Sequence, residues 1–287
     1  MAEGYAAVLQ TFGRVLARPF VKFSEDNGPL LASGLAFTLL LFCIPFSLLI
    51  VMALEFALGD PHRALDALQA LLNEFLPLTR EAFTENLEMA IENRSLLGIL
   101  GFSMFFLMSS LIFGATRTVL NVVFQVPRPS SFLKTAASDV LVMLLASGLL
   151  LLMVALTSLF TLAKGAVERV PHLEALIGPG WVFASDLLGF LFTFALLYLV
   201  YRFCPSQCLQ RPALFVAAFA GAALFELSKW AYAWYVDLSQ KNIVVYGAVG
   251  DLFFFFVWIY YTCAVVILGA EIGWVVQQTV QASGEDF

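Results

Sequence analysis

The chain has 287 residues, of which 61% are hydrophobic and only 13% charged, with a formal net charge of −6. Ordinary soluble domains carry about 25% charged residues. Mean hydropathy is +0.89 and the pI is about 4.9. This composition excludes a soluble enzyme, a disordered chain and a disulfide scaffold. The acidic balance excludes a nucleic-acid partner, which requires a basic face to displace counterions from phosphates. The sequence predicts an all-α polytopic membrane protein.

In chain order, the N-terminal segment reads as an amphipathic helix. Tyr5, Val8, Leu9, Phe12, Val15 and Leu16 recur at helical spacing. Arg14, Arg18 and Lys22 recur every four residues on another face. An apolar stripe beside a basic one suits a helix on an anionic membrane surface, and equally a helix capping a bundle. No continuous apolar run of a cleavable signal peptide is visible here. Asn27, Gly28 and Pro29 break the chain.

A spanning helix needs about 20 mainly apolar residues. Six segments qualify: Leu30–Leu54, Leu96–Thr116, Val140–Ala163, Trp181–Tyr201, Ala213–Val236 and Gly247–Val276. Their apolar runs are continuous rather than alternating, which excludes a β-barrel reading. We expect a single membrane domain over 1–287, with 1–29 as a cytoplasmic helix and 55–95 as a periplasmic helical loop. That loop is the most acidic, and its carboxylates read as a solvated face. A further short helix is expected around Glu168 to Leu176, ahead of Gly178-Pro179-Gly180. The balance of Lys and Arg places both termini on the cytoplasmic side.

Ionisable residues inside apolar spans are costly, so each should face the bundle, water or a partner. Asp186 lies early in the fourth span. Glu226 and Lys229 lie three apart in the fifth, on one helical face. They read either as a structural ion pair or as part of a polar cavity. Asp251 and Glu271 flank the apolar stretch of the sixth span and are expected near opposite interfaces, where they are less informative. These residues, with Arg202, are the candidates for a substrate or ion pathway. Pro45 is expected to kink the first span. Ala217 and Gly221, with Gly269 and Gly273, permit close helix approach. Trp230, Trp234 and Tyr235 read as interfacial aromatics. The run Phe253 to Phe256 cannot all face inward.

Catalytic and metal-binding patterns are not found. His62 and His172 follow prolines in outer loops, and Cys204 and Cys208 form a lone C-x3-C. There is no phosphate-binding, nucleophile-elbow or zinc-protease motif. No catalytic residue, metal or cofactor is expected, and transport without ATP machinery would be passive or ion-coupled.

The C-terminal half resembles a known family. Its motifs are Tyr201-Arg202-Phe203-Cys204-Pro205, then Glu226, Lys229, Trp230, Tyr235, Tyr246-Gly247 and Gly250, then Trp258-Ile259-Tyr260 and Leu268-Gly269-Ala270-Glu271. Leu35-Ala36-Phe37, Pro45 and Asn121 add to the pattern. This is similar to the YihY/virulence factor BrkB family, once labelled ribonuclease BN. Phe42 stands where the family has a serine. The resemblance implies a bacterial inner-membrane protein with six helices and both termini cytoplasmic, from a family linked to the cell envelope and, for one relative, to export of a lipid precursor. The ribonuclease label does not suit an acidic chain without a metal-ligand cluster.

The expectation is therefore a transporter or flippase-like protein for lipids or amphiphilic envelope precursors. Its partners would be membrane lipids and an amphiphilic substrate, and a homo-oligomer is compatible with the sequence. A scaffolding protein for envelope integrity is the alternative. An intramembrane enzyme would need Asp186 and Glu226 to share one site.

Overall fold

The computed structural model describes residues 17–58, 94–126, 171–243 and 247–284, together with helical residues at 138–139, 141–146, 148–149, 152–153 and 156. Every regular element among them is helical. The helices are α1 (Ala17–Glu25), α2 (Gly28–Leu58), α3 (Arg94–Val123), α4 (Pro171–Phe203), α5 (Arg211–Ile243) and α6 (Gly247–Gly284). The outer loop 55–95 lies almost entirely outside the described residues, as do the first half of the N-terminal helix and most of the expected third span.

Four described segments are long and apolar enough to cross a membrane: Ser103–Val123, Ala184–Phe203, Arg211–Val236 and Phe253–Gln281. Ala17–Glu25 and Gly28–Cys43 together make a fifth if the broken pair counts as one span. α2, α4 and α6 are apolar around most of their circumference, as helices exposed to lipid must be.

Several expected boundaries hold and others move. The chain breaks at Asp26-Asn27, where Asn27 takes a left-handed conformation with φ of 56°. Asn short side chains tolerate that region. The Asn27 carbonyl then accepts from the Leu30 and Leu31 amides at 2.9 and 3.0 Å, opening α2. The expected break at Gly178-Pro179-Gly180 does not occur. The backbone stays helical from Pro171 to Phe203, so the short helix and the fourth span are one element. Membrane helices tolerate such residues when the freed backbone groups find other partners. The second span also extends past Thr116 to Val123. That places Arg117 inside a helix, where it is buried.

The chain divides into two compact units. The first comprises residues 1–26, 120–226 and 266–287. Its core is a crossing of α5 and α6 on small residues. A Cβ added to Gly269 would lie 2.8 Å from the Gly221 Cα, and one added to Gly273 would lie 2.5 Å from the Ala217 Cβ. Such backbone approach replaces the hydrophobic drive that lipid cannot supply. Tyr201 of α4 is fully buried and its hydroxyl donates to the Val266 carbonyl at 2.6 Å. Asn121 pins the loop after α4: its Nδ2 donates to Ser206 Oγ at 3.1 Å, and its Oδ1 accepts from the Ser206 amide at 2.9 Å.

The second unit comprises residues 27–119 and 227–265. Phe42 and Phe46 stack at 5.1 Å, and Phe42 meets Phe105 at 5.6 Å. The residue that departs from the family pattern is thus part of an aromatic core. Tyr232 donates to the Phe254 carbonyl at 2.8 Å and packs on Trp258 at 4.7 Å. The phenylalanine run divides as expected, with Phe254 buried and Phe253 and Phe256 exposed. Trp230 is 81% exposed and Trp234 67% exposed, consistent with aromatics at a membrane interface.

The crossing yields a direct test. Replacing Gly269 by Val forces a side chain into the backbone of α5 and costs about 1–3 kcal/mol. Thermal unfolding in detergent should show a lower midpoint for Gly269→Val than for Gly34→Ala, where the added Cβ meets nothing within 4 Å.

Candidate functional site

Among the described residues, the most concentrated polar chemistry lies in the first unit, around Lys22. Its side chain is buried, and its ammonium has three partners. It pairs with Glu271 Oε2 at 2.7 Å, with Asp26 just past the end of α1, and donates to the Val123 carbonyl at 2.9 Å. Two hydrogen bonds and one further ion pair thus surround the ammonium. The Trp274 ring lies 4.4 Å from Nζ and adds a cation–π contact.

Each partner follows from local structure. Val123 closes α3, whose last carbonyls have no intrahelical partner. Val126 N bonds the Asn121 carbonyl and Gln125 N the Val122 carbonyl, with Gln125 at φ of 51°. This is a Schellman end, with Gln125 where glycine is commonest. Lys22 then satisfies the remaining carbonyl of Val123 and places a cation at the negative end of the α3 dipole. Asp26 follows Lys22 by four residues, a spacing that makes side chains neighbours. Glu271 and Trp274 share one face of α6, three residues apart.

Glu271 is fully buried. Expected only as an uninformative residue near an interface, it is removed from solvent by packing on both sides of α6. Lys22 turns inward to meet α3 and α6, which fits the bundle-capping reading of the N-terminal helix rather than the membrane-surface one. Arg18 is exposed.

Beside the cluster is a cavity of about 300 Å³, lined by Arg18, Lys22, Glu25, Asp26, Gln125 and Trp274 among others. It lies at the ends of apolar spans. Gln125 is just past the end of Ser103–Val123, and Trp274 and Gln278 approach the end of Phe253–Gln281. Among the described residues, no group of three metal-ligating side chains is present.

Of the sequence candidates, only Glu271 belongs to this site. Asp186 is exposed on α4. Arg202 is exposed at the end of α4, where its guanidinium contacts Cys208 Sγ and the Phe203 ring. Glu226 and Lys229 are both half-buried in α5. Asp251 lies in the first turn of α6, with its side chain outside the described set. Pro45 is buried within α2. Lys22, Asp26 and Trp274 were missed as site residues. The available signal was the stripe Glu271, Trp274, Gln278 at spacings of three and four, opposite the Gly269/Gly273 stripe.

Comparison with known proteins agrees with the sequence reading. The family model described as Virulence factor BrkB matches residues 20–286. The chain is 25% identical over 267 residues to a UPF0761 membrane protein of Pseudoalteromonas atlantica, covering 92% of this chain and 86% of the relative. It is 27% identical to one of Alcanivorax borkumensis, covering 88% and 57%, and 31% identical to one of Chromohalobacter salexigens, covering 90% and 62%. The chain thus spans about three fifths of the length of the latter two relatives. No solved structure matches.

The Lys22 cluster predicts an asymmetric mutational response. Lys22→Met leaves Glu271 buried without its cation and should cost about 3–5 kcal/mol. Lys22→Met combined with Glu271→Met removes both charges and should recover most of that loss. Chemical or thermal unfolding of the three variants in detergent measures both values, and a double variant as unstable as the single one would contradict the ion-pair account.

Proposed function

Because the chain belongs to the virulence factor BrkB family, we propose that it is a transporter or flippase-like protein acting on lipids or amphiphilic envelope precursors. The observation that carries this reading is the charged cavity at the ends of apolar spans. A lipid headgroup needs a polar pocket at interface depth, and its acyl chains need an apolar exterior alongside. This cavity supplies the first, and exposed apolar helix faces supply the second.

The reading includes six spans, with 140–163 supplying the one that falls mostly outside the described residues. It places the chain in the bacterial inner membrane with both termini cytoplasmic. It assigns no covalent chemistry to the chain, and takes membrane lipid as partner. The scaffolding alternative is favoured by one observation, the saturation of the Lys22 ammonium by three partners. A group so fully engaged serves well as a lock between helices.

Reconstitution into vesicles separates the readings. The transport reading expects protein-containing vesicles to exchange a fluorescent lipid analogue between leaflets faster than protein-free ones. It also expects Arg18→Gln to slow that exchange without lowering the unfolding midpoint, since Arg18 is exposed. Exchange no faster than in protein-free vesicles leaves the scaffold as the surviving account.

A further inference from the structure

The charges that line the cavity balance, Arg18 and Lys22 against Glu25 and Asp26, with the buried Glu271 behind Lys22. The Lys22 ammonium is consumed by Asp26, Glu271 and the Val123 carbonyl. Neither Glu271 oxygen has a hydrogen-bond partner among the described residues, and Oε2 meets Lys22 as an ion pair. What faces the cavity with no partner among the described residues is one cation, Arg18, and one anion, Glu25. They share a face of α1, seven residues apart, or about 10 Å of helical rise. Long side chains at these positions are able to reach a common ligand lying between them.

We propose that this cavity binds a phosphate ester carrying a primary amine, with the phosphate on Arg18 and the ammonium on Glu25. This rests on the transport reading and names the headgroup class for it. A guanidinium matches phosphate geometry with paired donors. The Glu25 carboxylate accepts from a primary ammonium, whose N–H groups a quaternary amine lacks. One cation and one anion facing the cavity suit a zwitterion, and a purely anionic headgroup would leave Glu25 opposed by like charge. The Trp274 ring, already beside Lys22, walls the site with an aromatic surface. The location at the ends of Ser103–Val123 and Phe253–Gln281 suits a headgroup whose chains lie against the helices.

The test is ligand retention by the purified chain in lipid discs of defined composition, read by native mass spectrometry. In discs mixing phosphatidylethanolamine, phosphatidylcholine and phosphatidylglycerol, the ethanolamine lipid should be retained preferentially. Glu25→Gln and Arg18→Gln should each weaken that retention about tenfold, the size of one lost charge-assisted hydrogen bond. Both residues are exposed, so unchanged unfolding midpoints confirm folded variants, and Glu25→Asp should retain part of the preference. Soluble phosphoethanolamine that binds with the same Glu25 dependence assigns the site to the free zwitterion. Retention of the lipid alone assigns it to the membrane-borne headgroup. Equal retention of phosphatidylglycerol, or a preference untouched by Glu25→Gln, overturns the proposal. Lipid bound with this preference but never exchanged between leaflets would overturn the transport reading alone. Exchange slowed by Arg18→Gln but untouched by Glu25→Gln would overturn the proposal alone.

Discussion

An ammonium enclosed by two carboxylates and a helix-end carbonyl organises the first unit of this protein. Isolated, the Glu271 carboxylate would be among the most unfavourable groups to bury in an apolar surround. Lys22 makes its burial tenable, and the same nitrogen ends α3 by accepting the role of a cap at Val123. One side chain therefore connects α1, α3 and α6. Ion pairs of this sort are weak sources of net stability, because desolvation offsets most of the attraction. Their effect is selective. Any arrangement that separates Lys22 from Glu271 strands a charge, so the pair specifies how these three helices meet.

That arrangement depends on the opposite side of α6. Gly269 and Gly273 lie four apart and bring α6 against Ala217 and Gly221 of α5. Glu271 lies between them in sequence, and at about 100° per residue its side chain points to the far side. Trp274 and Gln278 follow on that far face. The helix is thus gripped on one side by backbone-to-backbone contact and on the other by charge. With both sides covered, Glu271 has no route to solvent, which is why it is more buried than any position in the sequence implied.

Much of this was legible in the sequence, and the reason is periodicity. The glycine spacing announces a close crossing, the Asn27-Gly28-Pro29 run announces a break, and four successive phenylalanines cannot share one face. These are properties of a single segment. Lys22 belongs to the same class of pattern, a cation recurring every four residues with Arg14 and Arg18, and that pattern describes a surface. Whether it meets lipid headgroups or a buried carboxylate depends on which helix packs opposite. Glu271 lies far away along the chain, and local spacing carries no information about such a partner. Glu226 and Lys229 drew attention because their spacing is local, whereas the Lys22 pairing is not.

The consequence bears on how charge is used in so apolar a chain. A cavity built only from Lys22, Asp26 and Glu271 would offer a ligand little, because those groups are engaged with one another. The residues that remain to meet a ligand, Arg18 and Glu25, lie one turn or so to either side of Lys22 on α1. The buried pair holds α1 in place and the flanking residues present opposite charges to the cavity. Division of labour along nine residues lets the costly charges fix geometry while the solvated ones remain exchangeable. A substitution at Lys22 would then disturb folding and binding together. Substitutions at Arg18 or Glu25 act on the ligand alone, and this difference separates a structural role from a functional one within a single helix.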